Sequence, residues 1–259
     1  TGKTWMLGRL AADISGDERG EDRFQPQRPS FNRVIAVSYN ALDRFRRPPK
    51  SERMFSYRYC GIYNEDGTLV PRSILLERIG KGYTALEDKA RSSLWMRVLR
   101  DVFDQQFADR CRALCTHDLS EDSLDKLSSG QAILLTVLTE VLAVLETGSL
   151  VLYDEPEIHL HPNALAGLMR GLARILNKFD SYAVIATHSP IVLQQVPSAF
   201  VRVFRRIGNQ PFISRLKVES FGGDITALTE EVFQVNTADT YFREWLTAVS
   251  RTATEDQVL

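Results

Sequence analysis

Several features are scarce in this chain of 259 residues, and each scarcity excludes a class of protein. Only Cys60, Cys111 and Cys115 are cysteines, too few for a disulfide scaffold, so a reducing cytoplasm is the expected location. The 32 basic and 33 acidic side chains nearly cancel, which argues against coating nucleic acid through bulk charge. No run approaches the roughly 18 apolar residues of a membrane span, and no signal peptide is visible. We therefore expect no membrane partner.

Short apolar runs alternate with amphipathic stretches along the chain, which predicts an α/β fold with a largely parallel sheet. Strands are predicted at RVIAVSY (33–39), MFSYRYCGIY (54–63), SLVLYD (149–154) and YAVIAT (182–187). Helices are predicted from Lys3, over about 130–145 and over 163–178. The charged, periodic stretch 85–125 predicts a small helical subdomain. FVRVFRR and PFISRLKV predict a further pair of strands, and the last forty residues have a helical pattern.

The first four residues, TGKT, match the end of the phosphate-loop pattern G-x-x-x-x-G-K-[ST]. Gly2 would let the backbone approach a phosphate, Lys3 would reach the β- and γ-phosphates, and the Thr4 hydroxyl would ligate Mg²⁺. Because Thr1 lies inside the motif, we expect the domain to be incomplete at its N-terminus. Four residues alone also fit an ordinary helix N-terminus that follows a glycine.

Two adjacent acids, Asp154 and Glu155, directly follow an unbroken apolar strand in LVLYDEPEIHLHP. Ligands collect at the carboxyl ends of parallel strands, so both carboxylates are expected at a binding site. Asp154 would hold Mg²⁺, and Glu155 would activate the attacking water as a general base. An acidic turn after a strand is the alternative.

Two further segments carry groups that bind anions. KLSSGQ (126–131) precedes an apolar helix, where Ser128, Ser129 and Gly130 would supply hydroxyl and N–H groups. A plain helix N-cap is the alternative there. VIATHSP (184–190) ends a second apolar strand, and its His188 could donate to a γ-phosphate or have a purely structural role.

The motifs occur in the order GKT, LSSGQ, DE and H, which resembles the ABC-type ATPases, a group of transporter motors and SMC-, RecF- and OLD-like ATPases. The resemblance covers nearly the whole chain and implies a single domain over 1–259. That domain would be a P-loop NTPase with an ABC-ATPase-like mixed sheet, flanking helices and a small helical lid. ATP and Mg²⁺ are the implied cofactors, held between two protomers.

The resemblance also implies the residue roles. Nucleotide would be bound by the TGKT segment of one copy and the LSSGQ segment of its mate, through Thr1, Gly2, Lys3, Thr4, Ser128, Ser129, Gly130 and Gln131. Thr4 and Asp154 would ligate the metal, Glu155 would be the base and His188 the catalytic switch histidine. Asn40 stands near the position of the family's Q-loop glutamine and would contact the nucleotide, although a turn residue fits equally well.

DEPEIHLHP is similar to a segment of soluble ATPases related to RecF and OLD. SYNALDRF and ESFGGDITALTEEVF are similar to segments of bacterial defence ATPases of the Septu- and retron-associated type. This similarity implies an antiviral ATP hydrolase that forms a homodimer or higher oligomer and controls a separate nuclease or toxin. The stretch before LSSGQ is too short for the coiled coil of SMC proteins. Zinc sites at His159 and His161, or at Cys111, Cys115 and His117, are rival interpretations with too few ligands.

Other functions remain open from the sequence. The same residues could hold ATP as a scaffold that restrains an effector with little turnover, or serve DNA maintenance of the RecF type. A transporter motor is disfavoured by the HLHP segment and the missing glutamine, and a nuclease by the lack of an acidic cluster beyond Asp154 and Glu155. DNA could contact a basic run that lies beside Phe45 and Phe55, although such runs are usually solvated loops. The run contains Arg44, Arg46, Arg47, Lys50 and Arg53.

Overall fold

The computed structural model describes residues 2–15, 24–40, 44–47, 56–64, 66–117, 126–208, 210–233, 245 and 247. The chain divides into two compact units, Thr1–Val192 and Leu193–Leu259. The first unit holds strands Arg33–Ser38 (β1), Tyr57–Gly61 (β2), Ser149–Asp154 (β3) and Tyr182–Ala186 (β4). Its helices are Lys3–Ser15 (α1), Arg72–Asp88 (α2), Ser92–Val102 (α3), Gln105–His117 (α4), Ser129–Val144 (α5) and Pro162–Lys178 (α6). A short helix, Pro190–Leu193 (α7), ends at the boundary of the units.

The four strands of the first unit form one parallel sheet in the order β2-β1-β3-β4. The register pairs Ser38 with Asp154 and Asp154 with Ala186, so three strands end at the same edge of the sheet. The predicted α/β fold with a parallel sheet is confirmed. Among the described residues, antiparallel pairing is confined to a separate two-stranded sheet and an isolated bridge between Tyr63 and Leu69, so the four-stranded sheet itself is parallel.

Helices cover both faces of the sheet, because the side chains of a strand alternate between its faces. On one face, Leu7 and Ala11 of α1 pack against Ala36 of β1 and Leu152 of β3. The opposite face, which includes Val151, belongs to a larger core cluster built mainly from α2, α3, α5 and α6. All six residues of β3 are buried, as its unbroken apolar run predicts.

The helical region begins earlier than the sequence suggested, at Arg72 rather than near residue 85. Gly80 and Gly82 interrupt the apolar pattern of α2, which hid its first half. Gly82 is required by packing, because a Cβ there would lie 2.8 Å from Thr139 Cγ2 of α5. Thr139 also accepts a hydrogen bond from Trp95 Nε1 of α3 at 2.9 Å, which ties these helices together.

The second unit contains antiparallel strands Arg202–Ile207 (β5) and Gln210–Arg215 (β6) and the helix Ile225–Phe233 (α8). It has its own small apolar cluster of Leu193, Val201, Val203, Leu216 and Leu228. The predicted strand pair is therefore present, whereas most of the last forty residues lie outside the described residues. Over the described part of the chain, no helix has the length and apolar character needed to cross a membrane.

Candidate functional site

The GKT motif lies at the start of α1. Gly2 has a φ of +85°, a left-handed conformation that favours glycine, and its carbonyl accepts the hydrogen bond from Met6 N at 2.9 Å that opens the helix. Lys3 and Thr4 form the first turn, where helix N–H groups have no partner in the helix and can bind an anion. Thr1, the remaining predicted contact of this motif, lies outside the described residues.

A hydroxyl and a carboxylate meet at the end of β3. Thr4 Oγ1 donates to Asp154 Oδ1 at 3.1 Å, and Asp154 is fully buried. Hard oxygen donors of this kind suit Mg²⁺, which is usually bound through one or two protein side chains with water and substrate phosphates. The described residues bring together no group of three or more His, Cys, Asp or Glu that could hold a metal ion. Thr4 and Asp154 thus fit the predicted metal role.

Glu155 is held in an unusual backbone conformation directly after β3. Its φ is +49°, a left-handed value that non-glycine residues rarely adopt and that tends to occur at functional sites. Glu155 Oε2 accepts a hydrogen bond from Asn40 Nδ2 at 2.7 Å. Glu155 Oε1 lies 3.7 Å from His188 Nε2. Asn40 is therefore brought to the predicted general base, an arrangement that the sequence did not specify.

Lys3 and His188 meet on the open side of this cluster. Lys3 Nζ lies 3.4 Å from His188 Nδ1. Partial burial, followed by the charge of Lys3, lowers the pKa of His188, so the imidazole is neutral at pH 7. Burial also lowers the pKa of Lys3, although the carboxylates of Glu155, Glu157 and Asp154 oppose this shift. Of the predicted site residues, the structure thus gathers Lys3, Thr4, Asn40, Asp154, Glu155 and His188 at one edge of the sheet.

Glu157 is a site residue whose structural role the sequence did not reveal. Its Oε2 accepts a hydrogen bond from Thr187 Oγ1 at 2.9 Å, and its Oε1 accepts one from the backbone N–H of His188. Thr187 Oγ1 in turn accepts from Ser189 N at 2.9 Å. One carboxylate therefore fixes the segment that carries His188. An acid two residues after Glu155 was the available signal.

The LSSGQ motif forms the N-terminus of α5. Ser128 Oγ accepts from Gln131 N at 3.2 Å, and Gln131 Oε1 accepts from Ser128 N at 2.9 Å, a complete capping box. Within one chain Ser128 and Gln131 therefore act as helix caps, and Ser129 is exposed beside them. No hydrogen bond or ion pair among the described residues links these side chains to Lys3 or Thr4.

Gly130 lies against the segment that follows Glu155. A Cβ at Gly130 would lie 2.6 Å from the carbonyl oxygen of His159, closer than real contacts allow. His159 itself has a φ of +68°. Only glycine at position 130 lets the signature turn approach this backbone, so the LSSGQ and DEPEIHLHP segments form one packed unit.

The rival zinc interpretations receive no support from the described residues. Burial raises the pKa values of Cys111 and Cys115 to about 12, which keeps both thiols protonated, whereas zinc binds the thiolate. Cys111 is 1% exposed and packs in the core. The side chain of His117 lies outside the described residues, and His159 and His161 belong to no group of three or more potential ligands among those described.

Part of the basic run is built into the fold rather than solvated. The guanidinium of Arg47 lies 4.5 Å from the ring centre of Tyr63 and 5.4 Å from that of Tyr59. Phe45 is 4% exposed and packs in the α1 core cluster. Lys50, Arg53 and Phe55 lie outside the described residues. Phe45 and Arg47 thus pack on the first unit, whereas Arg44 and Arg46 are exposed.

Two comparisons relate this chain to known proteins. A family model described as "AAA domain, putative AbiEii toxin, Type IV TA system" matches residues 76–194, a range that includes LSSGQ, DE and His188. Protein ea59 of Escherichia phage lambda is 28% identical over 286 residues, which cover 95% of this chain and 54% of that protein. The chain thus spans about half the length of this relative. The chain has the P-loop NTPase fold, and its residues 76–194 are similar to AAA domains of this family model.

Proposed function

We propose that this protein binds ATP with Mg²⁺ and hydrolyses it. The contact between Thr4 Oγ1 and Asp154 Oδ1 at 3.1 Å carries the proposal, because it joins the end of the phosphate loop to the end of β3. Both residues would hold Mg²⁺, which supplies charge neutralisation when bound. Lys3, in the first turn of α1, would bind the terminal phosphates beside the helix N–H groups.

Glu155 would take the proton of the attacking water. Its Oε2 is engaged by Asn40, so Oε1 is the oxygen left to orient that water. His188, neutral and 3.7 Å from Oε1, would donate a hydrogen bond to the γ-phosphate. Glu157 would keep His188 in place through its hydrogen bond from the His188 backbone N–H. Catalysis in this arrangement comes from positioning and electrostatics, as is general for phosphoryl transfer.

The active form would be a head-to-tail dimer that holds two nucleotides. The exposed Ser129 and the N-terminal turn of α5, arranged by the Ser128–Gln131 capping box, favour this proposal. Helix N-termini bind anions, and this one would meet the γ-phosphate held by Lys3 of a second copy. Each site would then be complete only when two chains meet.

Mixing two inactive variants tests this proposal directly. Lys3→Ala removes the phosphate contact of its own chain, and Ser129→Arg blocks the signature turn of its own chain. In a mixed dimer one site carries both defects while the other is intact. Random mixing gives half mixed dimers, so turnover should return to roughly a quarter of the parent rate.

If mixing restores no turnover, although each variant folds and dimerises like the parent, the shared-site proposal is wrong. The double variant Lys3→Ala/Ser129→Arg mixed with the parent chain is the matched control. It also gives mixed dimers, but each of their sites carries one defect, so the only turnover is that of the parent homodimers.

The ATP cycle would control a partner nuclease or toxin in antiviral defence. The description of the matching family model names a toxin and a toxin–antitoxin system, which favours an effector partner. Glu155→Gln should hold the ATP-bound dimer and Lys3→Ala the nucleotide-free form. Effector activity, measured as nuclease cleavage or cell toxicity with the neighbouring gene, should differ between these variants. Equal activity with both would contradict nucleotide control.

A further inference from the structure

A groove of about 380 Å³ lies on the helical region, away from the cluster of Lys3, Thr4, Asp154, Glu155 and His188. It is formed by the exposed side of α3 together with α4. The described residues that line it are Ser92, Ser93, Met96, Arg97, Arg100 and Arg112. Three positive charges therefore line this groove, and no carboxylate is among its described lining residues.

None of the three arginines forms an ion pair within the described part of the chain. Neither an ion pair nor a hydrogen bond joins the guanidinium group of Arg97, Arg100 or Arg112 to another described residue, and all three side chains are exposed. Like charges this close repel one another, so the free protein gains nothing from holding them together. Their convergence becomes favourable when an anion enters the groove.

The carboxylates of the same two helices are engaged elsewhere. Asp101 pairs with Arg174 of α6 at 2.6 Å, and Asp109 accepts from Gln105 Nε2 at 2.7 Å. Asp104, between the helices, accepts from Phe107 N at 2.7 Å. The carboxylates of α3, α4 and the turn between them therefore have ion-pair or hydrogen-bond partners, whereas the guanidinium groups of the groove have none among the described residues.

The two serines of the lining suit phosphate, whereas Met96 is apolar. Ser92 and Ser93 stand in the first turn of α3, so hydroxyl groups and helix N–H groups face the same groove as the arginines. Arg97 and Arg100 are three residues apart on one helix face, which places their Cβ atoms about 5–6 Å apart. Arginine, serine and helix N-termini are the donors that proteins use for nucleic-acid phosphates.

We propose that the α3–α4 groove binds the phosphodiester backbone of a nucleic acid. Its described lining contains no aromatic, Asn or Gln side chain that could stack on a base or read a base edge. Binding should therefore be independent of sequence and governed by salt. This site is separate from the proposed ATPase site and from the basic run at residues 44–47.

The test uses the full chain and fluorescently labelled 30-nucleotide DNA of random sequence, single-stranded and duplex, in anisotropy titrations at several salt concentrations. The variant carries Arg97→Gln, Arg100→Gln and Arg112→Gln. Affinity should fall at least tenfold. The slope of log K against log salt should fall by about 2 for the single strand and by about 3 for the duplex, since three phosphate contacts are lost.

The matched control removes three exposed basic side chains outside the groove, by Lys178→Gln, Arg215→Gln and Lys217→Gln. Its net charge equals that of the groove variant, so a loss of affinity shared by both would mean bulk charge and would overturn the proposal. An unchanged salt slope in the groove variant would also overturn it. If polyglutamate displaces the labelled DNA as effectively as unlabelled DNA of equal charge does, the groove is assigned to acidic peptides instead.

ATP turnover without nucleic acid keeps this test separate from the proposed function. Arg97, Arg100 and Arg112 make no contact with Lys3, Thr4 or Glu155, so turnover and melting temperature should equal those of the parent protein. If the chain hydrolyses no ATP at all, the DNA titrations still decide whether the groove binds nucleic acid.

Discussion

Two regions of the first unit carry groups for binding anions, and they are built in opposite ways. At the end of the parallel sheet, the polar side chains already have partners inside the chain, such as Thr4 with Asp154 and Asn40 with Glu155. In the α3–α4 groove, three arginines make no ion pair with any described residue. One region is arranged before its ligand arrives, whereas the other holds charge that only a ligand compensates.

The two regions should therefore respond differently to substitutions. Removing a partner at the sheet edge leaves another polar group without its hydrogen bond, so function and stability should both suffer. Removing an arginine from the groove relieves repulsion, so stability should not suffer and only ligand binding should weaken.

Glu155→Gln should have the largest effect, because it removes the proposed base while keeping the shape of the side chain. We expect turnover to fall about 10²- to 10⁴-fold, the usual contribution of a general base. ATP binding should persist, which steady-state kinetics and nucleotide titration would separate. Asp88→Asn, the same change in charge at an exposed position of α2, is the control. Turnover at the parent rate in Glu155→Gln would remove Glu155 from the mechanism.

Glu157→Ala should destabilise the protein by about 2 kcal/mol, since the Thr187 hydroxyl and the His188 N–H lose their acceptor. Turnover should fall as well, because the segment that carries His188 is no longer fixed. Urea unfolding measures the first effect. Arg97→Gln, measured in the same way, should change stability by less than about 0.5 kcal/mol. Equal destabilisation in both variants would abolish the contrast between the two regions.

Glu140→Gln extends the comparison to a third environment, a largely buried carboxyl group whose charged form is poorly compensated by its partner. Burial raises the pKa of Glu140 to about 7, while Arg78, 3.7 Å away, opposes the shift. Between about pH 4.5 and pH 7, the native carboxyl therefore keeps a proton that the unfolded chain, with a pKa near 4.5, has lost. This contribution to stability is fully present below about pH 4.5 and is lost as the pH rises through about 7.

The glutamine variant stays neutral at every pH. Between pH 5 and pH 8, the free energy of unfolding of this variant should rise by about 2 kcal/mol relative to that of the parent. Glu77→Gln, on the exposed side of α2, should show no such gain. Parallel pH profiles for the parent and Glu140→Gln would mean that this carboxyl titrates normally in the folded protein.

Arg47→Gln should give the smallest effect. Loss of its contacts with the Tyr59 and Tyr63 rings should cost about 1 kcal/mol of stability. The change in the salt slope of DNA binding should be less than one-third of the change caused by the triple groove variant, because Arg47 packs on the fold. A larger change in slope would return DNA binding to the basic run.

The residues that stand at the end of the sheet could be predicted from the sequence, because each motif there is local. A strand followed by Asp154 and Glu155 is contiguous, and parallel strands bring their carboxyl ends together regardless of chain separation. The contact of Asn40 with Glu155 and the role of Glu157 depend on which side chains face each other across the ends of neighbouring strands. No local spacing contains that information.

The groove could not be predicted for the same reason. Arg97 and Arg100 come from one helix and Arg112 from the next, and their isolation depends on where Asp101 and Asp109 find their partners. In the sequence these residues form an ordinary charged stretch. The start of α2 was also missed, because Gly80 and Gly82 resemble helix breaks until Thr139 is seen to occupy the space beside Gly82.

The close fit of Gly130 under the His159 carbonyl has a mechanical consequence. In the proposed dimer, a subunit that docks on the serine turn would push on backbone only four residues beyond Glu155, the proposed general base. Dimer assembly would then affect the position of Glu155 through the backbone, without any relay of side chains. A single added methyl group at position 130 would be enough to break this coupling.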